Sequence, residues 1–333
     1  MKLLVTGAAG FIGSTYVRVA LDARPDDDIV VLDKLTYAGR RENLADVEDR
    51  IAFVEGAIED PVAVREAMEG ADAVVNFAAE SHVDRSIAEQ HAFARTHVIG
   101  TSVLLDAARE LGIARYVQVS TDEVYGSIQE GSFTETSPLN PSSPYSATKA
   151  AGDLLVSAHV HTYGIEALIC RGSNNYGPRQ YPEKLIPLCV LNALAGDSLP
   201  VYGDGHQVRN WLYVEDFARA IDLALRKGLP GEVYNVGGPD ETANIDVVRR
   251  ILAATGRDES LIEYVTDRPG HDRRYSLSSA KIRALGWEPS RRFSEGLAQT
   301  VEWYRENEWW WGPIRSGEYR EYYERQYGRK LAD

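Results

Sequence analysis

Two carboxyl side chains stand together at Asp122-Glu123, directly after the run Arg115-Tyr-Val-Gln-Val-Ser120. That run is short and β-branched, so it reads as a strand. Residues just past a strand end are where open α/β sheets place their sites. Adjacent carboxyls in different surroundings hold different pKa values and divide acid from base work. Further on, Tyr145 and Lys149 are four residues apart and share one face of a predicted helix. A Lys149 ammonium there is expected to lower the tyrosine pKa and make the phenolate a base near neutrality. The intervening stretch holds Gly126, Gly131, Pro138, Pro141 and Pro144, so it reads as loop. A Tyr-x-x-x-Lys pair alone also fits an ordinary surface contact, so its meaning rests on what precedes it.

What precedes it is a series of strands and helices that alternate. Lys2–Thr6 is an apolar strand, followed by Gly7-Ala-Ala-Gly10-Phe-Ile-Gly13 and a helical stretch to about Ala23. Strand, glycine turn and helix together form a pyrophosphate site at the helix N-terminus. Ile29–Leu32 is the second strand and ends in Asp33. An acid at that point binds ribose hydroxyls and repels a 2′-phosphate, which favours NAD over NADP. Ile51–Val54 and Ala73–Phe77 are further strands, with a helix opened by Asp60-Pro61 between them. Thr101–Leu111 carries apolar residues at helical spacing, and Glu166–Arg171 is a strand after the Lys149 helix. The alternation predicts a doubly wound parallel sheet of α/β class with right-handed crossovers. His82, after the fourth strand, is expected to be packed or orienting.

Beyond Pro178 the composition changes, and a smaller, mainly C-terminal α/β substrate-binding domain is expected over 179–333. The segment near 208–240 is expected to return to the first domain, 1–178. The loop Asp267-Arg268-Pro-Gly-His271-Asp272-Arg273-Arg274 carries three arginines suited to a diphosphate. The tail holds Trp309-Trp310-Trp311, Tyr319, Tyr322, Tyr323 and Tyr327, expected to pack a C-terminal helix.

The 333 residues carry 36 basic and 50 acidic side chains, a formal charge of −14. That balance disfavours nucleic acid and anionic membranes as partners. No apolar run reaches the ~18 residues of a membrane span, and no signal peptide precedes the first strand, so a cytoplasmic location is expected. Cys170 and Cys189 have no metal-ligand spacing and read as buried thiols. No metal site is expected.

Together these residues resemble the extended short-chain dehydrogenase/reductase family over nearly the whole chain. Ser120-Thr-Asp122-Glu123-Val-Tyr-Gly126 with Tyr145-x-x-x-Lys149 is similar to the dTDP-glucose 4,6-dehydratases. So are Ala78-Ala-Glu-Ser-His-Val-Asp84-Arg-Ser86, Ser173–Pro178, Pro182–Pro187 and Arg268-Pro-Gly-His-Asp272. The resemblance implies a Rossmann-like fold, bound NAD, a homodimer and conversion of dTDP-glucose to dTDP-4-keto-6-deoxyglucose. Under it, Tyr145, activated by Lys149, takes the C4 hydroxyl proton while C4 hydride passes to NAD⁺. Thr121 hydrogen-bonds the C4 oxygen. Glu123 removes the C5 proton, Asp122 protonates the departing C6 hydroxyl, and the hydride returns to C6. The resemblance further implies NAD contacts at Gly7, Gly10, Phe11, Ile12, Gly13, Asp33, Lys34, Leu35, Thr36, Ile58, Ala78, Ala79, Thr96 and Asn175. Substrate contacts are implied at Ser81, Asn174, Lys184 and Leu185. Arg209, Asn244, Arg268 and the His271 loop would meet the diphosphate, and Pro200-Val201-Tyr202 the base.

The sequence departs from that pattern twice. Gly56-Ala57-Ile58 stands where Gly-Asp-Ile is usual, so Ala57 has no carboxylate for the adenine amino group. Weaker NAD retention is expected unless Glu59 or water substitutes. His97 stands where asparagine usually follows Thr96, with no specific consequence expected. A UDP-sugar 4,6-dehydratase, or a 4-epimerase or decarboxylase of the same fold, is the alternative. So is a non-catalytic member of the fold. The Asp122-Glu123 pair argues against the epimerase and decarboxylase, and the retained catalytic residues argue against the non-catalytic reading.

Overall fold

The computed structural model describes residues 1–316 together with Tyr323, Glu324, Gln326 and Gly328. Its centre is built from the uninterrupted apolar runs. Strands β1 (Lys2–Thr6), β2 (Asp28–Asp33), β3 (Ile51–Glu55), β4 (Ala73–Asn76), β5 (Arg115–Thr121), β6 (Ala167–Gly172) and β10 (Val233–Val236) form one sheet in the order β10-β6-β5-β4-β1-β2-β3. Every neighbouring pair in it is parallel. Such strands are covered on both faces, which is why they read as continuous hydrophobic stretches rather than alternating ones. The chain order reverses between β1 and β4, and ligands bind outside the carboxyl ends of the strands at such a point.

Two apolar layers cover the sheet. On one face, α1 (Phe11–Ala23) and α8 (Val214–Lys227) bury Tyr16, Val17, Ala20, Phe217 and Ile221. On the other, α2 (Pro61–Met68) and α5 (Thr101–Glu110) bury Val64, Met68, Leu104 and Leu105, and α6 (Pro144–Tyr163) adds Val156. The missing β-carbon of Gly7 lets β1 turn into α1. Its φ is +68°, and a β-carbon there would lie 2.5 Å from the Ala78 amide nitrogen. At Gly13 a β-carbon would lie 2.6 Å from the Gly7 carbonyl oxygen, so glycine sets how closely α1 meets β1.

Helix α6 begins with a reciprocal cap. Ser143 Oγ accepts from the Ser146 amide at 3.1 Å and Ser146 Oγ accepts from the Ser143 amide at 3.0 Å. Pro144 fills the first helical position and Gly164 ends the helix in the left-handed region, φ 70°.

A separate core gathers α7 (Leu185–Ala195), α9 (Asn244–Thr255) and α11 (Phe293–Glu306) around Leu188, Val248, Ile251 and Leu297. Strands β7 (Asn174–Tyr176), β9 (Val208–Tyr213) and β11 (Asp240–Ala243) make one small sheet, and β8 (Leu199–Tyr202) with β12 (Ile262–Val265) another. Asn174–Tyr176 is a strand because it pairs in parallel with β9. Helix α7 starts at Leu185, since Lys184 keeps extended backbone. Helices α3 (Val83–Ala88) and α4 (Gln90–Ala94) and the π-helical turn Arg95–Gly100 lead into α5.

Short α10 (Ala280–Ala284) sits against β10. In α12 (Glu308–Arg315), Trp310 is buried and its indole donates to Asn43 Oδ1 at 2.7 Å, so this tryptophan packs the helix. Trp309 is exposed, and Tyr319, Tyr322 and Tyr327 lie outside the described residues. Cys170 and Cys189 are buried thiols. Among the described residues no helix is long and apolar enough to cross a membrane, and no cluster of side chains suits a metal ion.

Candidate active site

One cleft runs along the carboxyl ends of the central strands and encloses about 1480 Å³, part of it open to solvent. Gly7, Gly10, Phe11, Ile12, Gly13, Asp33, Lys34, Thr36, Ile58, Ala78, Ala79, Thr96 and Asn175 line it. So do Thr121, Asp122, Glu123, Tyr145, Lys149, Ser81, Asn174 and Lys184. Thus two sets of residues, chosen for different chemistry and far apart in sequence, share one space. Leu35 is not among the walls. Its amide donates to Asp33 Oδ1 at 2.9 Å and its side chain packs against the core.

The carboxyl pair sits on a 3₁₀ turn, Asp122–Tyr125, that begins where β5 ends. Thr121 fixes both. Its hydroxyl donates to Asp122 Oδ1 at 3.2 Å and accepts from the Glu123 amide at 3.3 Å. Their surroundings differ. Burial, reinforced by the Glu123 charge, pushes the Asp122 carboxyl up to about 8, so it holds a proton at neutral pH. Burial raises Glu123 too, but Arg268, Lys184 and Arg209 all pull it back toward the carboxylate.

Tyr145 and Lys149 face this pair from the first turns of α6, where the Tyr145 amide donates to Ser86 Oγ at 3.2 Å. The expected lowering of the phenol pKa is not found in the protein alone. Burial, then the negative charge of Glu123, holds Tyr145 above the ordinary tyrosine value. Lys149 donates to the Val119 carbonyl at 2.7 Å, and burial brings its own pKa down to about 8 against the opposing pull of Asp153.

His97 gains a role from its surroundings. It is buried, and its ring meets Tyr145 edge-on at 5.8 Å and Phe93 at 5.7 Å. Its Nδ1 lies 2.8 Å from Thr148 Oγ1, and that hydroxyl donates to carbonyls of α6, which leaves Nδ1 to donate. Burial and the Lys149 charge hold the imidazole neutral.

Beyond the main cleft lie the other residues expected at the substrate. Tyr202 and Arg268 line a second, adjoining cleft with Asp84. Arg268 pairs with Asp84 at 3.2 Å and Tyr202 donates to the same carboxylate at 2.9 Å. His271 pairs with Asp267 at 2.6 Å, its ring edge-on to Tyr202, and burial beside Arg268 lowers it to about 4. Arg209 is buried with its guanidinium 4.3 Å over the Tyr275 ring. Asn244 opens α9, Leu185 opens α7, and Pro200 lies in β8. Arg273 and Arg274 depart from the expected diphosphate loop. They pair with Asp204 at 2.8 Å and Glu241 at 2.8 Å, so Arg268 and Arg209 are the arginines whose charge reaches Glu123.

Sequence reasoning left several residues without a role. Asp84 anchors both Arg268 and Tyr202. Glu183 accepts from Tyr37 Oη at 2.8 Å and from Arg85 Nε at 3.1 Å, bracing the loop after β2 against the segment before α7. Both lie inside motifs that carry the resemblance, Ala78–Ser86 and Pro182–Pro187, which gave them no role of their own.

The residues present fit a bound dinucleotide. Asp33 is buried at the end of β2, with its oxygens held by the Ala9 and Leu35 amides. No side chain caps α1 at Gly10, which leaves that helix end to an anion. Glu59 Oε2, Asn174 Oδ1 and Asn175 Oδ1 line the cleft buried, with no hydrogen-bond partner among the described residues. Buried polar atoms of this kind call for a ligand's donors.

Comparison with known proteins agrees with this geometry. The family model described as GDP-mannose 4,6 dehydratase matches residues 4–300. The dTDP-glucose 4,6-dehydratase of Streptomyces niveus is 50% identical over 95% of this chain and 96% of its own. The low-salt glycan biosynthesis protein Agl12 of Haloferax volcanii is 53% identical over 91% of this chain and 98% of its own. The crystal structure of DesIV, a dTDP-glucose 4,6-dehydratase from Streptomyces venezuelae with NAD bound, superposes with a TM-score of 0.92. It shares 53% identity and is covered in full by 94% of this chain. With the acid pair, the Tyr145–Lys149 helix and the glycine turn all opening on one cleft, the chain belongs to the dTDP-glucose 4,6-dehydratase family.

Proposed function

We propose that this protein is an NAD-dependent dTDP-glucose 4,6-dehydratase that releases water and dTDP-4-keto-6-deoxyglucose. The observation that carries the reading is the difference within Asp122-Glu123: burial and the neighbouring charge keep Asp122 protonated, while at Glu123, also raised by burial, three cations pull back toward the carboxylate. Elimination across C5 and C6 needs an acid and a base at the same moment. An epimerisation at C4 needs neither at those carbons.

In this reading Tyr145 takes the C4 hydroxyl proton and the Thr121 hydroxyl holds the same oxygen. Glu123 takes the C5 proton, made acidic by the C4 ketone, and Asp122 gives its proton to the departing C6 hydroxyl. A bound NAD would supply the hydride acceptor for C4 in its oxidised form and the hydride donor for C6 in its reduced form. Gly7, Gly10, Phe11, Ile12, Gly13, Asp33, Lys34, Thr36, Ile58, Ala78, Ala79, Thr96 and Asn175 would hold it. Ser81, Asn174 and Lys184 would hold the sugar, with Arg209, Asn244, Arg268 and His271 on the diphosphate and Pro200 and Tyr202 by the base. Because the cofactor is regenerated, purified protein given dTDP-glucose without added NAD⁺ is expected to yield a product lighter by one water. No such product, with or without NAD⁺, overturns the reading.

A homodimer is part of the proposal. Ile99, Leu111, Leu154 and Tyr163 are exposed on or beside α5 and α6, which pack together, and this apolar face suits a second copy. The chain's two-unit organisation, 1–178 for NAD and 179–333 mainly for the nucleotide sugar, belongs to the same reading. A cytoplasmic location suits an enzyme whose substrate is a nucleotide sugar.

A further inference from the structure

Ala9 lies in the glycine turn between β1 and α1, and both of its polar backbone atoms are held. Its amide donates to Asp33 Oδ2 at 2.9 Å. Its carbonyl accepts from the Asn43 side-chain amide at 2.7 Å and from the Arg40 amide at 2.9 Å. The turn proposed to carry the pyrophosphate is thus tied to the segment that follows Gly39, a wall of the same cleft.

Asn43 is the joint, and it is buried. With Nδ2 committed to Ala9, its Oδ1 needs a donor. That donor comes from the far end of the chain, where Trp310 Nε1 lies at 2.7 Å. An indole can only donate and a carbonyl can only accept. The two partners therefore fix which way the asparagine amide points. The same helix adds a second tie. Arg40 donates to the Trp310 carbonyl at 2.8 Å and lays its guanidinium 5.4 Å from the centre of the Trp310 ring. Trp310 is seated in the second core, against Trp303 at 5.2 Å and Tyr304 at 6.3 Å between ring centres. Among the described residues, none of α12 lines the cleft.

We infer that Trp310 is a positioning residue for the dinucleotide: through Asn43 it holds the Ala9 carbonyl, and with it the glycine turn on which NAD sits. The inference rests on the NAD-dependent reading above. A turn held in place beforehand costs no ordering when its ligand binds, so loss of the tie weakens binding. By reciprocity, NAD strengthens the tie and steadies α12 from a distance.

The test reads binding rather than activity. Wild type, Trp310→Phe and Trp311→Phe are compared by equilibrium dialysis against NAD. Trp310→Phe keeps an aromatic ring in the core and leaves Asn43 Oδ1 without its donor. Trp311→Phe removes a bond of the same kind, from the indole to the Tyr304 carbonyl at 2.7 Å, at the next position of the same helix but away from Asn43. Trp310→Phe is expected to raise Kd for NAD by about five- to thirtyfold, as one lost buried hydrogen bond implies. Trp311→Phe is expected to keep the wild-type Kd. A wild-type Kd in Trp310→Phe overturns the inference. So does an equal rise in both variants, which marks a general loosening of the core. No NAD bound by wild type overturns the NAD-dependent reading, and the inference with it. Hydrogen exchange on wild type gives a second measure that stands even if neither variant folds. NAD is expected to slow exchange of the α12 amides, and an unchanged rate there overturns the inference.

Discussion

At the scale of single residues, the cleft works by keeping one proton where it would ordinarily be lost. Asp122 binds its proton more tightly folded than unfolded, so its linkage runs opposite to that of a salt-bridged carboxylate. Between about pH 4 and 8 the folded chain holds a proton there that the unfolded chain has released. Stability from this group therefore falls as pH rises through that window. Asp122→Asn is expected to raise the melting temperature, with a gain that grows from pH 5 to pH 8, as calorimetry would show. A gain independent of pH would mean that Asp122 is ionised in the fold. The same substitution is expected to lower kcat by about 10²–10⁴-fold through loss of the acid. Wild-type kcat should fall as pH rises through about 8, where Asp122 gives up its proton.

The proposed roles rest on residue types, spacing and the family resemblance, and none of these carries the electrostatics around them. Nothing in Tyr145-x-x-x-Lys149 announces that Lys149 is tied to the Val119 carbonyl, or that burial and Glu123 raise the phenol's pKa. His97 was noticed as unusual, yet its contact with Tyr145 exists only because a π-helical turn brings Arg95–Gly100 against α6.

At the scale of elements, position is set by backbone packing. Gly13→Ala puts a β-carbon 2.6 Å from the Gly7 carbonyl. Backbone on both sides has little room to yield, and overpacking of this kind costs about 1–3 kcal/mol. The variant should denature at lower urea concentration and retain less NAD. Wild-type values for both would show that α1 and β1 are free to separate. Ser143→Ala removes one half of the cap that starts α6, at a cost of about 1 kcal/mol. Urea titration should show the unfolding free energy lowered by that amount.

Strands buried on both faces were readable because burial leaves a continuous apolar run, as in Ile29–Leu32 and Ala73–Asn76. The pairings of β9 with β7 and β11, and of β12 with β8, were not. These strands are short, mix polar with apolar residues, and owe their conformation to partners distant in sequence. Helices α3 and α4 are five or six residues long, too short to show a helical period.

At the scale of the whole molecule, the loop after β2, proposed to hold the cofactor, and the segment before α7, proposed to hold the sugar, are tied through one carboxylate. Tyr37 lies after β2 and Glu183 just before Lys184, and both Tyr37 and Arg85 donate to Glu183. Its side chain is fully buried. Glu183→Ala strands a phenol and a guanidinium and is expected to cost about 1–3 kcal/mol. It should also raise KM for the nucleotide sugar, since Lys184 is carried on the same turn. An unchanged KM would separate the brace from substrate binding. Sedimentation tests the proposed dimer, and Leu154→Glu, which charges the exposed α6 face, should leave monomers.

The division of labour between Asp122 and Glu123 is tested most directly by deuterium uptake. Wild type, Asp122→Asn and Glu123→Gln are each incubated with dTDP-glucose in D₂O, and the sugar nucleotides are weighed by mass spectrometry. Wild type should give a dehydrated product carrying one solvent deuterium at C5. Asp122→Asn should return largely undehydrated sugar that has gained deuterium at C5, because the base still works and the acid is gone. Glu123→Gln should show neither exchange nor dehydration. Exchange that persists in Glu123→Gln, or dehydration at the wild-type rate in Asp122→Asn, would contradict the assignment of base and acid.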